Sequence, residues 1–274
     1  MTQIVQRAAS DWLCLRRPAD EAAREAARPA IAALSIHLAE QLAAGQAAHV
    51  IDLGAGTGAN LAFLAPRLAV PQRWTLIDRD EDLLDEVPQI LSCEQVIGVR
   101  RLALDLDDLE DVPGDGDPTL ITCAAVLDVL TESQVQSLAT LVAERGFAAL
   151  FSLSVTGEVQ LHPALELDAR IESAFNAHQR RSGLAGPRAT ILAAHVLSSH
   201  GLDVTVTDTP WMLGSGSGAL IERYLTDRVA AAVEHDPSLR PATDDWLETR
   251  LSQLRQGNLS VEVGHQDLMA RRLP

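Results

Sequence analysis

One short stretch, residues 50–58, constrains the fold of this chain more than any other. Val50-Ile51-Asp52-Leu53 is apolar and β-prone, and residues 59–68 have the pattern of a helix. Between them lie three glycines at alternate positions, Gly54, Gly56 and Gly58. Glycine tolerates the positive φ angles of a sharp turn and lets a backbone approach a ligand closely. The stretch therefore predicts a strand, a tight loop that faces a nucleotide-like ligand, and a helix.

An acidic residue follows the next predicted strand. Trp74-Thr75-Leu76-Ile77 is apolar and leads directly into Asp78. In doubly wound α/β folds, a carboxylate in this place accepts hydrogen bonds from a ribose diol. The spacing Gly-x-Gly-x-Gly differs from the dinucleotide fingerprint, and the Lys-Ser/Thr pair of a phosphate-binding loop is missing. The chain contains no lysine, which also excludes Schiff-base and pyridoxal chemistry.

The run from Asp52 to Gly58, followed by Asp78, resembles the first motif and the acidic residue of the class I S-adenosylmethionine-dependent methyltransferases, in particular uncharacterised bacterial members of the small-molecule type. The alternative is an ordinary strand-to-helix turn in another doubly wound protein. The resemblance implies S-adenosylmethionine as the cofactor, with the glycines against its methionine part. Asp78 would hold the ribose hydroxyls, and Asp52 would orient the loop or the amino group of the cofactor.

The resemblance also implies a wider set of cofactor contacts along the chain. The set comprises Ala55, Thr57 and Arg79 beside the loop, Asp105 and Leu106 at the adenine, Cys123 and Ala124 beside the sulfonium, and Arg16 at the cofactor carboxylate. For Arg16, an exposed surface position is the alternative.

The fold class that follows is α/β, a doubly wound and mostly parallel seven-stranded sheet with an antiparallel last strand. N-terminal helices and helical insertions on the acceptor side complete it. The predicted strands are residues 50–53, 74–77, 99–104, 119–123, 148–153, 203–207 and 259–270. We expect a single domain over residues 1–274. Its parts are an N-terminal helical segment (1–46), a cofactor-binding half (47–157), a helical cap (158–200) and C-terminal strands and helices (201–274).

Charge and composition narrow the class of partner. The net charge is −16, whereas proteins that bind nucleic acid usually carry a basic face. No run of about 18 apolar residues predicts a membrane span, and the N-terminus lacks the pattern of a secretory signal. The cysteines Cys14, Cys93 and Cys123 are scattered and form no Cys-x-x-Cys pair, so no metal site is expected. We therefore expect a cytoplasmic protein, monomer or homodimer, that acts on a small molecule.

Polar residues near the end of one predicted helix are the candidates for the acceptor site. Residues 176–180 (Asn-Ala-His-Gln-Arg) are unusually polar for a helix end, and we expect Asn176, His178, Gln179 and Arg180 to face the acceptor. The alternative is a solvated helix terminus whose cations favour the helix dipole. Trp211 is expected either to wall the acceptor pocket or to lie in the core.

Methyl transfer needs alignment more than catalytic groups, although a general base helps where the acceptor loses a proton. Asp128, which follows the fourth strand, and His178 are the candidate catalytic residues; His162, Tyr224 and His265 remain further candidates. Three functions stay open: a methyltransferase for a small molecule, a methyltransferase for RNA or protein, and a protein that binds S-adenosylmethionine without transfer.

Overall fold

The computed structural model of the protein describes residues 10–88, 93–106 and 117–273. The first nine residues of the predicted N-terminal segment lie outside this part. The helices are α1 (Ser10–Arg24), α2 (Arg28–Gln41), α3 (Ala59–Leu64), α4 (Glu81–Asp85), α5 (Glu132–Arg145), α6 (Asp168–Gln179), α7 (Ala189–Ser199), α8 (Gly218–His235) and α9 (Arg240–Arg255). The strands are β1 (Ala48–Leu53), β2 (Gln72–Asp78), β3 (Val96–Ala103), β4 (Thr119–Ala124), β5 (Ala148–His162), β6 (Asp203–Asp208), β7 (Trp211–Leu213) and β8 (Ser260–Arg271).

Among the described residues, the strands form one sheet in the order β3-β2-β1-β4-β5-β8-β6, with β7 paired to β8. The pairs from β3 to β5 are parallel. Strand β8 runs antiparallel to both β5 and β6. The predicted fold class, a mostly parallel sheet with an antiparallel last strand, is confirmed. The short strand β7 is an addition that the sequence pattern did not predict.

The sheet is covered on both faces because side chains of a strand alternate between its two sides. Ile51 and Leu53 of β1 pack with α5 and α7, whereas Ala48 and Val50 pack with α2 and α3. Every residue of β1 is buried, as expected for a central parallel strand. This burial fixes the carboxyl end of β1, and with it the start of the glycine loop.

A third apolar core lies beyond the carboxyl edge of the sheet. Strand β5 has 15 residues, and its outer half pairs with the first half of β8, to which β7 is also paired. Helices α6, α8 and α9 bury their apolar sides against this ribbon. We call these elements, with residues 155–162 of β5 and 260–265 of β8, the cap.

The cap differs from the helical segment that the sequence pattern suggested for residues 158–200. Residues 158–162 continue β5 and are therefore part of the sheet. Helix α7 packs against α5 on the face of the sheet, away from the cap. Helices α8 and α9, from the C-terminal part of the chain, supply the missing cover. The pattern failed here because an amphipathic helix shows that one face is buried without showing against what.

Candidate active site

A cavity of about 500 Å³ lies between the carboxyl edge of the sheet, helix α1 and the cap. This volume is in the range of small-molecule sites. In open α/β sheets, ligands bind beyond the carboxyl ends of the strands, where the strand order reverses. That point lies here between β1 and β4, which flank each other in the sheet although they are distant in sequence.

The glycine loop forms one wall of the cavity, and its conformation requires glycine. Gly54, Gly56 and Gly58 have φ angles of 65°, 51° and 80°, in the left-handed region that side chains with a Cβ rarely adopt. A Cβ on Gly54 would lie 2.5 Å from Cγ2 of Val126, and one on Gly58 would lie 3.1 Å from Cγ1 of Val87. The loop therefore packs closely against neighbouring side chains, and the backbone of Gly54 and Gly56 lines the cavity.

Asp78 is held beside this loop by two backbone amides. The Gly56 N–H donates to Oδ2 of Asp78 at 2.8 Å, and the Asp80 N–H donates to Oδ1 at 3.0 Å. Each carboxylate oxygen can accept a second hydrogen bond. Asp78 lines the cavity and is only partly buried, so its orientation is fixed while acceptor capacity remains for a ligand.

Asp52 lies beneath the loop and outside the cavity lining. Its side chain is fully buried, and its Oδ1 accepts a hydrogen bond from Nδ2 of Asn60 at 2.7 Å. Arg24 reaches the same group by donating to Oδ1 of Asn60 at 2.9 Å. Burial raises the pKa of Asp52 to about 7. Asp52 therefore ties β1 to the start of α3 and to α1, and it positions the loop from below.

Arg16 of α1 lines the cavity from above. Its guanidinium donates two hydrogen bonds to the carboxylate of Asp20, at 2.8 and 3.1 Å. Asp20 in turn accepts from Nε1 of Trp211 at 3.0 Å, and the Arg16 guanidinium lies 5.3 Å from the Trp211 ring centroid. This chain of contacts fastens α1 to the cap and places one arginine at the cavity.

Asp128 lies in the turn after β4 and lines the cavity. It is 9% exposed, and its Oδ1 has no hydrogen-bond partner among the described residues. Burial raises the pKa of Asp128 to about 6. A carboxyl group of this kind is ionised at neutral pH and still basic enough to take a proton.

His178 lies outside the cavity, contrary to its predicted acceptor-facing position. Its Nδ1 accepts a hydrogen bond from Nη1 of Arg181 at 2.7 Å, and its Nε2 lies 3.4 Å from Oε2 of Glu234 on α8. Both ring nitrogens thus face protein groups. A helix turns by about 100° per residue, so Asn176 and Gln179 reach the cavity while His178 between them packs against α8.

His265 of β8 is in the cavity wall, where the sequence offered it only as one of several possible bases. Its Nδ1–H donates to the carbonyl oxygen of Val263 at 2.9 Å, which leaves Nε2 as the acceptor nitrogen. Burial, together with the charge of nearby Arg16, lowers the pKa of His265 to about 4. The ring packs 4.8 Å from that of Trp211. His265 is therefore a neutral imidazole with a fixed tautomer.

Comparison with known proteins gives structural matches of low sequence identity. No protein-family model and no curated protein matches the chain. Cyclopropane synthase MmaA2 from Mycobacterium tuberculosis is 12% identical over 87% of this chain and 83% of its own, with a TM-score of 0.44. YcgJ from Bacillus subtilis is 17% identical over 88% and 98%, with a TM-score of 0.48. Haemonchus contortus phosphoethanolamine N-methyltransferase 2, in complex with S-adenosylmethionine, is 12% identical over 88% and 52%, with a TM-score of 0.44.

The strand order of this chain identifies its fold. Strand β8 lies antiparallel between β5 and β6, and the glycine loop follows directly after β1. This is the class I methyltransferase fold. Within the class I fold, the structure brings most of the predicted cofactor residues to one cavity. Those that line it are Arg16, Gly54, Ala55, Gly56, Thr57, Asp78, Arg79, Asp105, Leu106 and Ala124.

Three predicted cofactor residues do not line the cavity of the class I fold. Asp52 lies beneath the loop, Gly58 lies at the end of the loop against Val87, and Cys123 is buried in β4. Burial raises the pKa of the Cys123 thiol, which keeps it protonated. Of the predicted acceptor residues, Asn176, Gln179 and Trp211 line the cavity, as does Asp128, whereas His178 and the exposed Arg180 do not.

Arg228 was not among the residues predicted from the sequence, and Tyr224 was only a further candidate base. Tyr224 and Arg228 are one turn apart on α8. Both line the cavity, as do Phe175 of α6 and Trp12 of α1. Their helical spacing was visible, but the same spacing is typical of an ordinary core helix. No group of three or more potential metal ligands occurs in the described ranges, and no helix within those ranges is long and apolar enough to span a membrane.

The charge of the cavity is unbalanced. Its acidic lining residues are Asp20, Asp78, Asp80, Asp105, Asp128, Glu158 and Asp227, and its arginines are Arg16, Arg79 and Arg228. Seven carboxyl groups against three guanidinium groups leave a surplus of four negative charges when all are ionised. Such a cavity favours a ligand that carries positive charge.

Proposed function

We propose that the protein is an S-adenosylmethionine-dependent methyltransferase that acts on a small-molecule acceptor. The observation that carries the proposal is the fixed pair of the glycine loop and Asp78, in which the Gly56 N–H and the Asp80 N–H orient the carboxylate at the cavity. Glycine backbone and an acidic acceptor at the switch point suit a ribose and the chain attached to it.

The residues present fit the proposed cofactor. Gly54 and Gly56 line the cavity and carry no side chain there, so a ligand can contact the backbone of the loop closely. Asp78 is placed for hydroxyl donors, and Asp105 and Leu106, which follow β3, lie at the same cavity for a ring with an exocyclic amine. Arg16 offers a cation from α1. The acidic surplus of the cavity suits a sulfonium cation.

The bound cofactor would supply a methyl group on positive sulfur, and the protein would align an acceptor and exclude water. Where the acceptor gives up a proton, we assign that proton to Asp128. Both Asp128 and His265 face the cavity, but a base works best when its pKa lies near the operating pH. The pKa of Asp128 is about 6 and that of His265 about 4. His265 then serves as a hydrogen-bond acceptor through Nε2.

The cap supports a small acceptor over a macromolecule. Trp211 is 3% exposed, lines the cavity, and makes edge contacts with Trp12 and Tyr224, which line it as well. An aromatic wall of this kind fits a compact apolar body. A large substrate would need an open groove with a complementary charge, and the chain carries a net charge of −16.

Calorimetric titration with S-adenosylmethionine and S-adenosylhomocysteine tests the proposal. Asp78→Asn keeps the shape of the side chain but removes its charge, and hydrogen bonds to a charged group contribute about 1.5–3 kcal/mol. We expect the variant to bind both ligands about 10- to 100-fold more weakly. Asp85→Asn, on the exposed side of α4 and outside the cavity, is the matched control and should bind as wild type. Folded wild-type protein that binds neither ligand would refute the cofactor assignment.

A further inference from the structure

Three arginines of the described chain are almost completely buried, and one of them differs from the others. Arg250 is paired with Asp168 through Nη2, and Arg24 lies 3.8 Å from Oδ2 of Asp267 and donates to Asn60. Arg228 is 3% exposed. Within the described residues, no carboxylate oxygen lies within 4.0 Å of the guanidinium nitrogens of Arg228, so Arg228 forms no ion pair there. A buried charge without a counterion is strongly unfavourable.

The guanidinium of Arg228 is held in place by neutral groups. Its Nη1 donates to the hydroxyl oxygen of Tyr224 at 2.9 Å, and its central carbon lies 4.3 Å from the ring centroid of Phe175. Nη2 is buried and has no hydrogen-bond partner. Arg228, Tyr224 and Phe175 all line the cavity. Arg228 therefore places a cation without a counterion in the cavity wall, and one of its buried nitrogens has no hydrogen-bond partner.

This cation lies on the acceptor side of the cavity. Arg228 and Phe175 belong to α8 and α6, which pack on the outer half of β5. Asp78 follows β2, and β2 and β5 are three places apart in the sheet, about 14 Å at a strand spacing near 4.8 Å. Asp78, Asp80 and Asp105 are thus remote from Arg228. Of the acidic residues on the cap side, Asp227 is paired with Arg223, and in the described part of the chain neither Asp227 nor Glu158 comes within ion-pair distance of Arg228.

We propose that the methyl acceptor is an organic acid with an apolar or aromatic body, and that Arg228 binds its carboxylate. This inference rests on the proposed methyltransferase function. A guanidinium binds a carboxylate through planar N–H donors, and Nη2 of Arg228 supplies such donors. A single guanidinium balances one negative charge, so a monoanion fits the otherwise acidic cavity better than a phosphate dianion. Phe175, Tyr224 and Trp211 supply the apolar walls for the body.

The cofactor also has a carboxylate, which is the alternative ligand for Arg228. Arg16 on α1 is the nearer candidate for that carboxylate, because Leu13, one turn earlier on the same helix, comes within 3.4 Å of the Cβ position of Gly56 in the loop. Two cofactor-type ligands separate these sources. S-adenosylhomocysteine has the carboxylate, whereas 5′-methylthioadenosine lacks it.

The test uses Arg228→Met, which keeps an apolar stem of similar length, and Arg228→Lys, which keeps the charge but not the planar fork. Protein saturated with S-adenosylhomocysteine is titrated with benzoate and 3-phenylpropionate, and with the uncharged amides of both acids. Wild type is expected to bind at least one acid about tenfold or more tightly than its amide, as a charged hydrogen bond predicts. Arg228→Met should lose this preference, and Arg228→Lys should keep part of it.

The outcomes separate the proposal from its alternatives. If Arg228 binds the acceptor, the affinity of Arg228→Met for S-adenosylhomocysteine should stay within about twofold of wild type. Loss of a charged hydrogen bond to the cofactor carboxylate would weaken this affinity by more than about twofold. If the variant loses S-adenosylhomocysteine but binds 5′-methylthioadenosine normally, Arg228 holds the cofactor and the acceptor assignment is overturned. Wild type that shows no preference for either acid over its amide also overturns it.

The same titrations on ligand-free protein separate this inference from the proposed function. If wild type binds no S-adenosylhomocysteine but prefers the acids, the anion site stands and the methyltransferase function fails. A purely structural Arg228 makes a further prediction, because Arg228→Met would then lower the melting temperature while the acid preference persisted. We expect the opposite pair of results, a melting temperature equal to or above that of wild type with the preference lost.

Discussion

Asp52 provides a test of the buried network beneath the glycine loop that requires no knowledge of the acceptor. Burial is the main cause that raises its pKa from 3.8 to about 7; the hydrogen bond from Asn60 and the charge of Arg24 oppose this, and the charge of Asp78 adds to it. In the unfolded chain the carboxyl group ionises near its ordinary pKa. The folded protein therefore holds a proton that the unfolded chain has already lost over the pH range from 3.8 to about 7.

The sign of the effect follows from this difference. A group whose pKa is raised in the folded state stabilises the fold below its unfolded pKa, and that contribution is lost as the pH rises through the folded pKa. Each pKa unit corresponds to about 1.4 kcal/mol. The total loss is then about 4 kcal/mol, of which roughly 2.5 kcal/mol falls between pH 5 and pH 8.

Asp52→Asn keeps an oxygen that can accept from Asn60 and removes the ionisation. We expect the free energy of unfolding of this variant, relative to wild type, to rise by roughly 2.5 kcal/mol from pH 5 to pH 8. Urea unfolding at each pH gives the two free energies, and their difference cancels the titration of all other groups. Asp128→Asn, whose parent carboxyl has a pKa of about 6, should show about half of that rise.

The experiment also separates structural from cofactor roles. Asp52 does not line the cavity, so Asp52→Asn should bind S-adenosylhomocysteine within a few-fold of wild type, unlike Asp78→Asn. A stability difference that stays constant from pH 5 to pH 8 would refute the reasoning, since Asp52 would then titrate alike in both states. A difference that falls with pH would mean that Arg24 stabilises an ionised Asp52.

Two further substitutions test the backbone around the cavity. Gly54→Ala should lower the free energy of unfolding by about 2–4 kcal/mol, from a left-handed φ and a 2.5 Å approach to Val126; Gly45→Ala, with a φ of 84° and no neighbour within 4 Å, should cost only about 1 kcal/mol in urea unfolding. Ala125→Gly should raise the free energy of unfolding by up to about 1 kcal/mol, because Ala125 has a φ of 57°. If the variant instead lowers the free energy of unfolding by more than about 1 kcal/mol, the methyl group of Ala125 contributes to stability by packing.

The cofactor side of the cavity could be predicted from the sequence because its signals are local. Strand β1, the glycine loop and helix α3 follow one another directly along the chain, and Asp78 ends the next strand. Each of these features has one common structural solution, so the loop and the acid could be placed at the same edge of a sheet. The structure adds the hydrogen bond from Gly56 to Asp78, which neither motif contains by itself.

The acceptor side could not be predicted in the same way, because its residues come from distant parts of the chain. Asn176, Arg228 and His265 lie on α6, α8 and β8, and no pairwise spacing relates them. The polarity of the segment around His178 favoured the wrong member of its helix for the cavity. Whether a helical residue faces a cavity or a neighbouring helix depends on the packing angle of that helix, which the period of the pattern does not give.

The two sides are nevertheless joined by continuous strands, since β5 and β8 both run from the sheet into the cap. Strand β5 runs from the buried sheet into the cap, and its pairing with β8 shifts register between Phe151 and Ser154. Leu153, inside this shift, has a φ of 58° and donates its N–H to Oδ1 of Asp267 at 2.8 Å. A leucine in the left-handed region is held there only by its surroundings, at a cost of about 1–3 kcal/mol. Because Leu153 also lines the cavity, the register shift lies where β5 passes from the sheet to the cap, and the hydrogen bond to the buried Asp267 fixes the backbone at this point.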